Sequence, residues 1–364
     1  MSSIKIIAFN LPQYHPIPEN DEWWGAGFTE WRNVAKARPL FPGHRQPNLP
    51  GELGFYDMRL DDTLERQGEL AAWSGVSAFC FYHYWFAGRR LLERPIERLR
   101  SMTSPSLPYC LCWANHHWTN HWAGISNDIL VEQTYPGLGD HRDHYLYWRN
   151  FLSDSRYFKV NGKPAMVIFR PNDIPKVARF VDLFQQWARA DGFGDLFFIG
   201  LDHDLGLLDA GFDAVAPHSL NIALAAYLKG HRRAYHLVRQ RLGRFPRWVI
   251  DYSSLDRYFK NHLCDGITTL PTAIPNWDNT PRIGRRGLVF ANSSPARFAD
   301  HLRRSVSGFT AANDGKDRIL FIKSWNEWAE GNYLEPDLVH DRGWLEAVRS
   351  FVSQYNDKNF CKGR

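Results

Sequence analysis

Glu327 and Glu330 stand three positions apart in an aromatic segment, WNEWAEG at residues 325–331. A turn or the start of a helix at this point would place both carboxyl groups in one cleft. Cleavage of a glycosidic bond requires an acid that protonates the departing oxygen and a second carboxylate that stabilises, attacks or deprotonates at the reacting centre. Trp325 and Trp328 would exclude water and raise the pKa of the acid. The segment therefore predicts a catalytic pair that acts on glycans.

A structural interpretation of the same segment stays open. In it, the glutamates cap the following turn or form ion pairs with Lys323 and Arg342. Glu335, directly before Pro336, is a third candidate carboxylate, either as a loop-shaping residue or as a hydrogen-bonding partner of the substrate.

Short apolar runs alternate with segments of helical period along the whole chain, which favours a parallel sheet. Eight such runs predict a (β/α)8 TIM barrel, with a doubly wound open sheet as the alternative. The predicted strands are residues 4–9, 76–82, 109–113, 165–169, 196–200, 214–217, 266–270 and 319–323, and the predicted helices include residues 62–73, 91–100, 140–151, 174–190 and 296–306. We expect one catalytic domain over residues 1–357, long loops at its C-terminal face, and a flexible tail over residues 358–364.

Polar residues follow nearly every predicted strand, and the carboxyl ends of barrel strands build active sites. We therefore expect these side chains on one rim: Gln13, His15, residues 83–85, residues 115–117, Arg170, Asp202, His203, His218, Trp277, Asp278 and residues 326–330. The long loop after the first strand, residues 11–61, adds Trp23, Trp24, Glu30 and Trp31 as one wall of a cleft.

Composition favours a glycan ligand over several other substrates. Aromatic residues make up 15% of the chain, and many stand beside polar residues. Flat rings cover the C–H face of a sugar while polar neighbours meet its hydroxyls, although the same rings could fill a large core. The chain has no glycine-rich phosphate cradle after the first strand and no serine nucleophile elbow, which disfavours nucleotide and ester hydrolysis.

Two metal sites are weaker hypotheses. His116, His117 and His121 contain a pair with i, i+4 spacing, and Asp202 and Asp204 have the Asp-x-Asp form that can hold a divalent cation. Tryptophans interleave with the histidines, and two aspartates at this spacing often arise by chance. We predict no metal and no cofactor.

Cysteine usage and hydropathy predict a cytoplasmic protein. Five cysteines without paired spacing indicate buried thiols in a reducing compartment. The first residues lack a basic segment followed by a long apolar stretch, and no apolar run has membrane-spanning length. We therefore expect at most peripheral membrane contact.

Basic residues crowd residues 229–247 of a chain whose net charge is +5. A solvated helix face is the first interpretation, and a contact for phosphates or an anionic membrane surface is the alternative. The segment lacks the interleaved motif of a nucleic-acid domain, so we predict no nucleic-acid partner.

Several motifs together make the chain resemble the WbsX-type glycosyltransferases, which are similar to glycoside hydrolase family 99. They are LPQYHPIPENDEWWG at residues 11–25, GFTEW at 27–31, YHYWF at 82–86, CWAN at 112–115, NWDNTPR at 276–282, WNEWAEG at 325–331 and Glu335 with Pro336. The resemblance implies a barrel fold and action on glycans, typically among genes for O-antigen or other surface polysaccharides.

The resemblance also implies roles for the two glutamates. The hydrolase relatives are endo-acting α-mannosidases that retain anomeric configuration without an enzyme-bound sugar, because a carboxylate deprotonates the 2-hydroxyl of the substrate and that oxygen attacks the anomeric carbon. Glu327 would be this base, and Glu330 would protonate the leaving group and then activate water or another acceptor. In the usual scheme one carboxylate is instead the nucleophile. Relatives commonly show a Glu where this chain has His116, so the sugar recognised is not inferred from the resemblance.

From rim and motifs we predict substrate contacts at Gln13, His15, Trp23, Trp24, Glu30, Trp31, His83, Tyr84, Trp85, Asn115, His116, Trp277, Asp278, Trp325, Asn326, Trp328 and Glu335. The predicted function is cleavage of a surface-type polysaccharide, O-antigen-like or mannose-containing, by a retaining two-glutamate mechanism. One alternative is a glycosyltransferase of surface-polysaccharide synthesis that uses a nucleotide-sugar or lipid-linked sugar. The other is a noncatalytic glycan-binding barrel.

Overall fold

A computed structural model describes residues 4–120, 128–217, 219–241, 246–309 and 316–356. Several sequence predictions concern residues outside these ranges: His121 of the histidine group, His218 of the rim, Arg244 of the basic segment, Cys361, and the tail at 358–364.

Eight parallel strands form a curled sheet, as the alternating pattern predicts. Each strand is an apolar run whose residues are largely buried, which is typical of parallel strands covered on both faces. The strands are β1 Ile4–Asn10, β2 Ala78–Phe86, β3 Tyr109–Trp113, β4 Lys163–Ile168, β5 Phe197–Gly200, β6 Ala214–Val215, β7 Thr272–Ala273 and β8 Arg318–Ile322. Their order in the sheet is β6-β5-β4-β3-β2-β1-β8-β7. The first strand therefore lies between the second and the last, and only β7 lies beyond β8 at that edge of the sheet.

Thirteen α-helices are found in the described residues, most of them between the strands. They are α1 Pro18–Trp24, α2 Glu30–Lys36, α3 Asp61–Ser74, α4 Arg94–Ser101, α5 Leu138–Leu152, α6 Val177–Ala190, α7 Gly206–Asp209, α8 Ser219–Tyr227, α9 His231–Arg241, α10 Tyr252–Asp256, α11 Thr280–Ile283, α12 Pro295–Ser305 and α13 Gly343–Asn356. In α6, Phe180, Leu183 and Phe184 are buried at helical spacing and face the sheet. Ser294 caps α12 with its side chain, and Pro295 takes the first helical position. The five predicted helices are confirmed, with ends that differ by up to three residues.

Short two- and three-residue strands complete the secondary structure. They pair Arg89–Leu91 with β2, Lys159–Val160 with β4, Trp118–Thr119 with Ile129–Val131, and Asn326–Glu327 with Asn332–Tyr333. Single 3-10 turns occur at Pro171–Asp173, Lys260–Leu263, Gly284–Arg286 and Trp328–Glu330.

An insertion made of two segments, one between β6 and β7 and one between β7 and β8, has a core of its own. It contains α8 to α11 and a parallel pair of strands, Trp248–Asp251 and Leu288–Ala291. Ile250, Tyr252, Leu255 and Phe290 are buried together in this second core. The insertion is the reason that the regular spacing of strands and helices is lost after β6.

The prediction for the seventh strand is wrong by several residues. Residues 266–270 form a turn because Asp265 Oδ1 accepts hydrogen bonds from the backbone amides of Ile267, Thr268 and Thr269. The paired strand, β7, follows Pro271. Thr269 nevertheless forms a parallel bridge with Val215 of β6, and the Leu270 amide donates to the Val215 carbonyl at 2.7 Å.

Cys80, Cys110 and Cys112 are free thiols buried in β2 and β3. Among the helices of the described residues, none combines the length and the apolar character needed to cross a bilayer.

Candidate active site

A cavity of about 290 Å³ opens at the carboxyl ends of the strands. Its side chains come from the strand ends, from α2, and from α11 in the insertion. They are Leu11, Gln13, Glu30, Tyr82, Tyr84, Ala114, His116, His117, Trp118, Thr119, Phe169, Arg282, Lys323, Glu327 and Glu330. Acidic, basic, amide and aromatic groups thus line one concave surface, as expected for a ligand rich in hydroxyls.

Glu327 and Glu330 reach this cavity from a turn that is held rigidly. Residues 328–330 form a single 3-10 turn, which Gly331 ends in the left-handed conformation at φ 58°. Trp328 is buried and stacks on Tyr333 with ring centres 3.8 Å apart. The turn carries both carboxyl groups toward the cavity while the indole anchors it to the core.

Asn326 fixes the start of the turn to the end of β1. Its side-chain oxygen accepts from the Leu11 amide at 2.7 Å, and its amide group donates to the Leu11 carbonyl at 3.0 Å and to the Tyr56 hydroxyl at 3.2 Å. All three groups are buried, so each hydrogen bond forms away from competing water. Asn326 thereby sets the position of Glu327 beside β1.

Arg282 lies among three carboxylates. Its Nε is 3.1 Å from Oε2 of Glu30, Nη1 is 2.5 Å from Oε1 of Glu330, and Nη2 is 3.7 Å from Oε2 of Glu327. The Arg282 side chain is only 11% exposed. Buried charges need such pairing, and the fork of the guanidinium suits several acceptors at once.

The two catalytic candidates hold one proton between them. Burial, followed by the charge of Glu330, raises the pKa of Glu327 to about 8, although Lys323 and Arg282 oppose the shift. Burial also acts to raise the pKa of Glu330, but Arg282, Lys323 and a hydrogen bond from Glu327 together hold it below its ordinary value. At neutral pH, Glu327 is therefore the protonated member of the pair and Glu330 the ionised one.

Several polar atoms at the cavity have no hydrogen-bond partner within the described residues although they are buried. They are Gln13 Nε2, Glu30 Oε1, His116 Nδ1 and Glu330 Oε2. Burial lowers the pKa of His116 to about 4, so its imidazole is neutral at neutral pH. A neutral imidazole, an amide and carboxylates can both donate to and accept from sugar hydroxyls.

Asp278 holds the loop that delivers Arg282. Its carboxylate accepts from His44 Nε2 at 2.7 Å, from Gln46 Nε2 at 2.6 Å, and from the amide and hydroxyl of Thr280 at 3.0 and 2.6 Å. The Asp278 amide donates to the Glu330 carbonyl at 2.7 Å. This loop and the turn at residues 328–330, which we call the catalytic turn for its proposed role, are therefore joined directly.

Four of the predicted substrate contacts, Gln13, Glu30, Tyr84 and His116, line the same cavity as the two glutamates. Trp277 lines two neighbouring cavities, and Asp278 lines one of them, a cavity of about 330 Å³. The four Asp278 contacts described above leave its carboxylate committed to the protein.

His83 and Trp85, predicted as substrate contacts, point away from the cavity. Successive side chains of a strand alternate between its faces, so Tyr82 and Tyr84 face the cavity while the other two face α5. His83 Nε2 lies 2.9 Å from His144 Nε2, and the Trp85 indole donates to Asp140 at 2.8 Å.

The other predicted contacts lie behind the cavity wall or at its margin. Asn115 joins the ends of β3 and β4 through Arg170, with its side-chain oxygen accepting from the Arg170 amide at 2.7 Å. Glu335 is buried and accepts from Tyr56, Gln67 and Trp328. His15, Trp31 and Trp325 are buried in the core, and Trp23 and Trp24 are partly buried in α1, with the Trp23 ring 5.9 Å from that of Trp118.

Several cavity residues were not predicted as contacts: Tyr82, His117, Phe169, Arg282 and Lys323. The period-two pattern of β2 is the signal that places Tyr82 beside Tyr84. Lys323, a possible ion-pair partner of the glutamates, lies near both of them, but no Lys323–Glu ion pair within 4 Å occurs among the described residues. Arg342, the other basic residue considered for that role, pairs with Glu52 instead.

The described residues contain no group of three metal-ligating side chains. Asp202 accepts hydrogen bonds from the His203 and Asp204 amides, and Asn172 bridges the two aspartates at 3.3 Å each. Asp202 and Asp204 thus shape the turn after β5.

The fold is similar to solved glycoside-hydrolase structures. A glycoside hydrolase-like protein aligns with a TM-score of 0.58 and 14% identity, over 97% of this chain and 94% of the other. The GH99 endo-alpha-mannosidase from Bacteroides thetaiotaomicron aligns with a TM-score of 0.54 and 15% identity, over 96% and 97%. Identity this low establishes the likeness of fold alone.

Sequence comparisons define the family. The uncharacterized protein WxcX from two strains of Xanthomonas campestris pv. campestris is 38% identical over 355 residues, which is 97% of this chain and 50% of that protein. The chain thus spans about half the length of these relatives. The family model for glycosyltransferase WbsX matches residues 6–348. The chain belongs to the glycosyltransferase WbsX family.

Proposed function

We propose that the chain cleaves glycosidic bonds in a surface-type polysaccharide, O-antigen-like or mannose-containing, with retention of configuration, and that its curled sheet closes into a (β/α)8 barrel. The observation that supports the reaction is the buried Glu327–Glu330 pair, which shares one proton in a cavity lined by polar groups. An acid and a base side by side are what hydrolysis through an attacking 2-hydroxyl requires. The bridge between Val215 and Thr269 supports the closure.

The proton shared by the two carboxyl groups relates the arrangement in the cavity to the proposed roles. The proton resides on Glu327, and Arg282 keeps Glu330 ionised. The resemblance assigns the opposite arrangement, with Glu327 as base and Glu330 as acid. We propose that the proton passes from Glu327 to Glu330 when substrate enters and Arg282 turns toward the substrate or toward Glu30.

The reaction then proceeds in two balanced steps. Glu327 takes the proton of the 2-hydroxyl as that oxygen bonds to the anomeric carbon, and Glu330 gives its proton to the departing oxygen as the glycosidic bond breaks. In the second step Glu330 takes a proton from water and the water oxygen bonds to the anomeric carbon as the bond from that carbon to the 2-oxygen breaks. The 2-oxygen recovers its proton from Glu327. Two inversions give net retention.

A pair of matched variants tests these roles. With an aryl glycoside or glycosyl fluoride, whose leaving group needs no acid, Glu330→Gln should retain the first step while Glu327→Gln should lose it. The reverse pattern would make Glu327 the acid, as the higher pKa of Glu327 alone indicates. Mannan-like and O-antigen fragments provide the natural-substrate screen. If no fragment is cleaved and Glu327→Gln binds no sugar, the proposal is refuted.

Transfer to a second glycan is the other candidate function, because the matching family is described as a glycosyltransferase. Glu330 would then activate an acceptor hydroxyl in place of water, and the donor would be a nucleotide-sugar or lipid-linked sugar. Product analysis of one defined oligosaccharide with and without nucleotide sugars distinguishes the two. Longer products only with donor indicate transfer, shorter products indicate cleavage, and affinity without turnover that Glu330→Gln leaves unchanged indicates a noncatalytic glycan-binding barrel.

A further inference from the structure

The insertion after β6 contains a stretch of one charge sign. Residues 214–250 include seven Lys and Arg residues and no Asp or Glu, although the whole chain has 44 basic and 39 acidic residues. The stretch spans α8 and α9 and ends at Asp251. Such a segment produces a positive surface unless acidic groups from elsewhere neutralise it.

Helix α9 has its polar and apolar faces reversed relative to an ordinary surface helix. Arg232 and His236, at positions i and i+4, form the face turned toward the protein, and His236 is buried. Arg239, at i+7, lies at the edge of this face against the Tyr235 ring. On the outer face, Tyr235 and Val238 are each 57% exposed and Leu237 is 37% exposed, with Ala234 exposed between them. Arg233 and Arg241 are also exposed on this face. A surface helix normally turns its apolar residues inward.

The inner face anchors α9 firmly. The Arg232 guanidinium lies over the rings of Tyr227 and Tyr258 at 4.9 and 5.5 Å, and it donates to the Tyr258 hydroxyl. The His236 ring lies 5.5 Å from that of Trp248. Because these contacts fix the orientation of the helix, they hold its apolar residues on the outer face.

We propose that the outer face of α9, with Arg233, Tyr235, Leu237, Val238 and Arg241, docks onto an anionic membrane surface. A helix that combines exposed apolar residues with arginines suits the boundary between lipid headgroups and acyl chains. The arginines complement the negative charge of the headgroups. The apolar side chains would be buried among acyl chains, an apolar environment that water and nucleic acid lack. The inference concerns binding and is independent of the reaction that the cavity performs.

The position of α9 relates this surface to the cavity. Leu220 and Asn221, at the start of α8, line a space of about 120 Å³ that shares Tyr82, Phe169 and Lys323 with the catalytic cavity. Helix α9 follows α8 after a short turn. A docked protein would therefore present the side of its cleft formed by the insertion near the headgroups, where a saccharide joined to a lipid is within reach.

Sedimentation with vesicles tests the proposal on the full chain. We expect binding to phosphatidylglycerol mixed with phosphatidylcholine and little binding to phosphatidylcholine alone. Arg233→Glu with Arg241→Glu should weaken binding about 30-fold or more, from the usual contribution of two basic residues near such a surface. Leu237→Ser with Val238→Ser should also weaken it while leaving the charge unchanged.

Two control pairs match these variants in chemistry. Lys176→Glu with Arg179→Glu reverses two exposed charges at the start of α6, and Leu138→Ser with Leu146→Ser replaces two exposed leucines of α5. Both should bind as the parent chain does, and circular dichroism of every variant should show an intact fold.

Three results would overturn the proposal. The first is no binding to the anionic vesicles, and the second is binding that both α9 variants leave unchanged. The third is evidence that something other than a membrane binds the outer face of α9. One such result is binding to single-stranded DNA that persists in Leu237→Ser with Val238→Ser. The other is a dimer in sedimentation velocity that the same substitutions abolish.

Discussion

Replacing Arg282 with Gln should expose how strongly this guanidinium controls the buried carboxylates. The substitution leaves Glu30 and Glu330 buried without their cation, since the Arg282 side chain is 11% exposed and lies 3.1 and 2.5 Å from them. Removing one partner of a buried ion pair typically costs about 3–5 kcal/mol. With an unfolding entropy of about 2.1 cal/mol/K per residue, the 364 residues give a fall in Tm of about 4–7 °C.

The pH dependence of this loss follows from the pKa of Glu330. In the parent protein that pKa is below its ordinary value of 4.5, so Glu330 stabilises the fold above pH 4.5 and loses this effect as the pH falls through its folded-state pKa. Without Arg282, burial dominates and raises the pKa, so ionisation of Glu330 opposes folding at neutral pH. The difference in Tm should therefore be largest at neutral pH and should shrink toward pH 4.5.

Thermal unfolding followed by circular dichroism across this pH range provides the measurement. Arg98→Gln is the matched control, because Arg98 pairs with Asp61 at the surface with side chains 50% and 41% exposed. An exposed pair contributes about 0–1 kcal/mol, so the control should scarcely change Tm. A Tm deficit for Arg282→Gln that is equal at every pH would refute the electrostatic account and indicate a loss of packing alone.

Three further substitutions address the surroundings of the site. Gly331→Ala should lower the free energy of unfolding by about 1–3 kcal/mol, because a Cβ at φ 58° would lie 2.7 Å from the Asp278 amide nitrogen. Gly162→Ala is the control and should cost less, since Gly162 also has a positive φ but has open space around it. Equal losses in the two variants would contradict the close-contact argument. Glu335→Gln should flatten the curve of stability against pH, because burial raises the pKa of Glu335 to about 7. The stabilising effect of Glu335 is complete below pH 4.5 and is lost as the pH rises through 7. A curve that keeps its slope in the variant would assign that pH dependence to another group. His83→Gln should lower Tm without changing sugar affinity measured by calorimetry. Weaker sugar binding in a folded variant would show that His83 contributes to the binding site.

The sequence predicted the parallel α/β architecture because each strand is a short apolar run bounded by polar residues. Strand β3 has the predicted bounds, whereas β7 was misplaced because Asp265 uses its side chain to hold residues 267–269 in a turn. A propensity pattern does not reveal such a side-chain contact, and this is where tertiary structure overrides the local signal.

The candidate site was predictable where it depends on position relative to a strand end. Glu327 and Glu330 follow β8 directly, and Gln13 and His116 follow β1 and β3. Arg282 was not predicted as a contact because it comes from the insertion, through the link between Asp278 and the catalytic turn. His83 was misassigned because a run of adjacent polar and aromatic residues was treated as one surface, although the strand turns alternate side chains to opposite faces.

The hydrogen bonds between Asn326 and Leu11 also imply a delay in forming the site during protein synthesis. The two residues are 315 positions apart, yet the hydrogen bonds between them fix the start of the catalytic turn. At about 5–20 residues per second, roughly 15–60 s separate the translation of one residue from that of the other. Through this interval β1 has no β8 beside it, and the turn that carries the two glutamates is positioned only after nearly all of the sheet has been made.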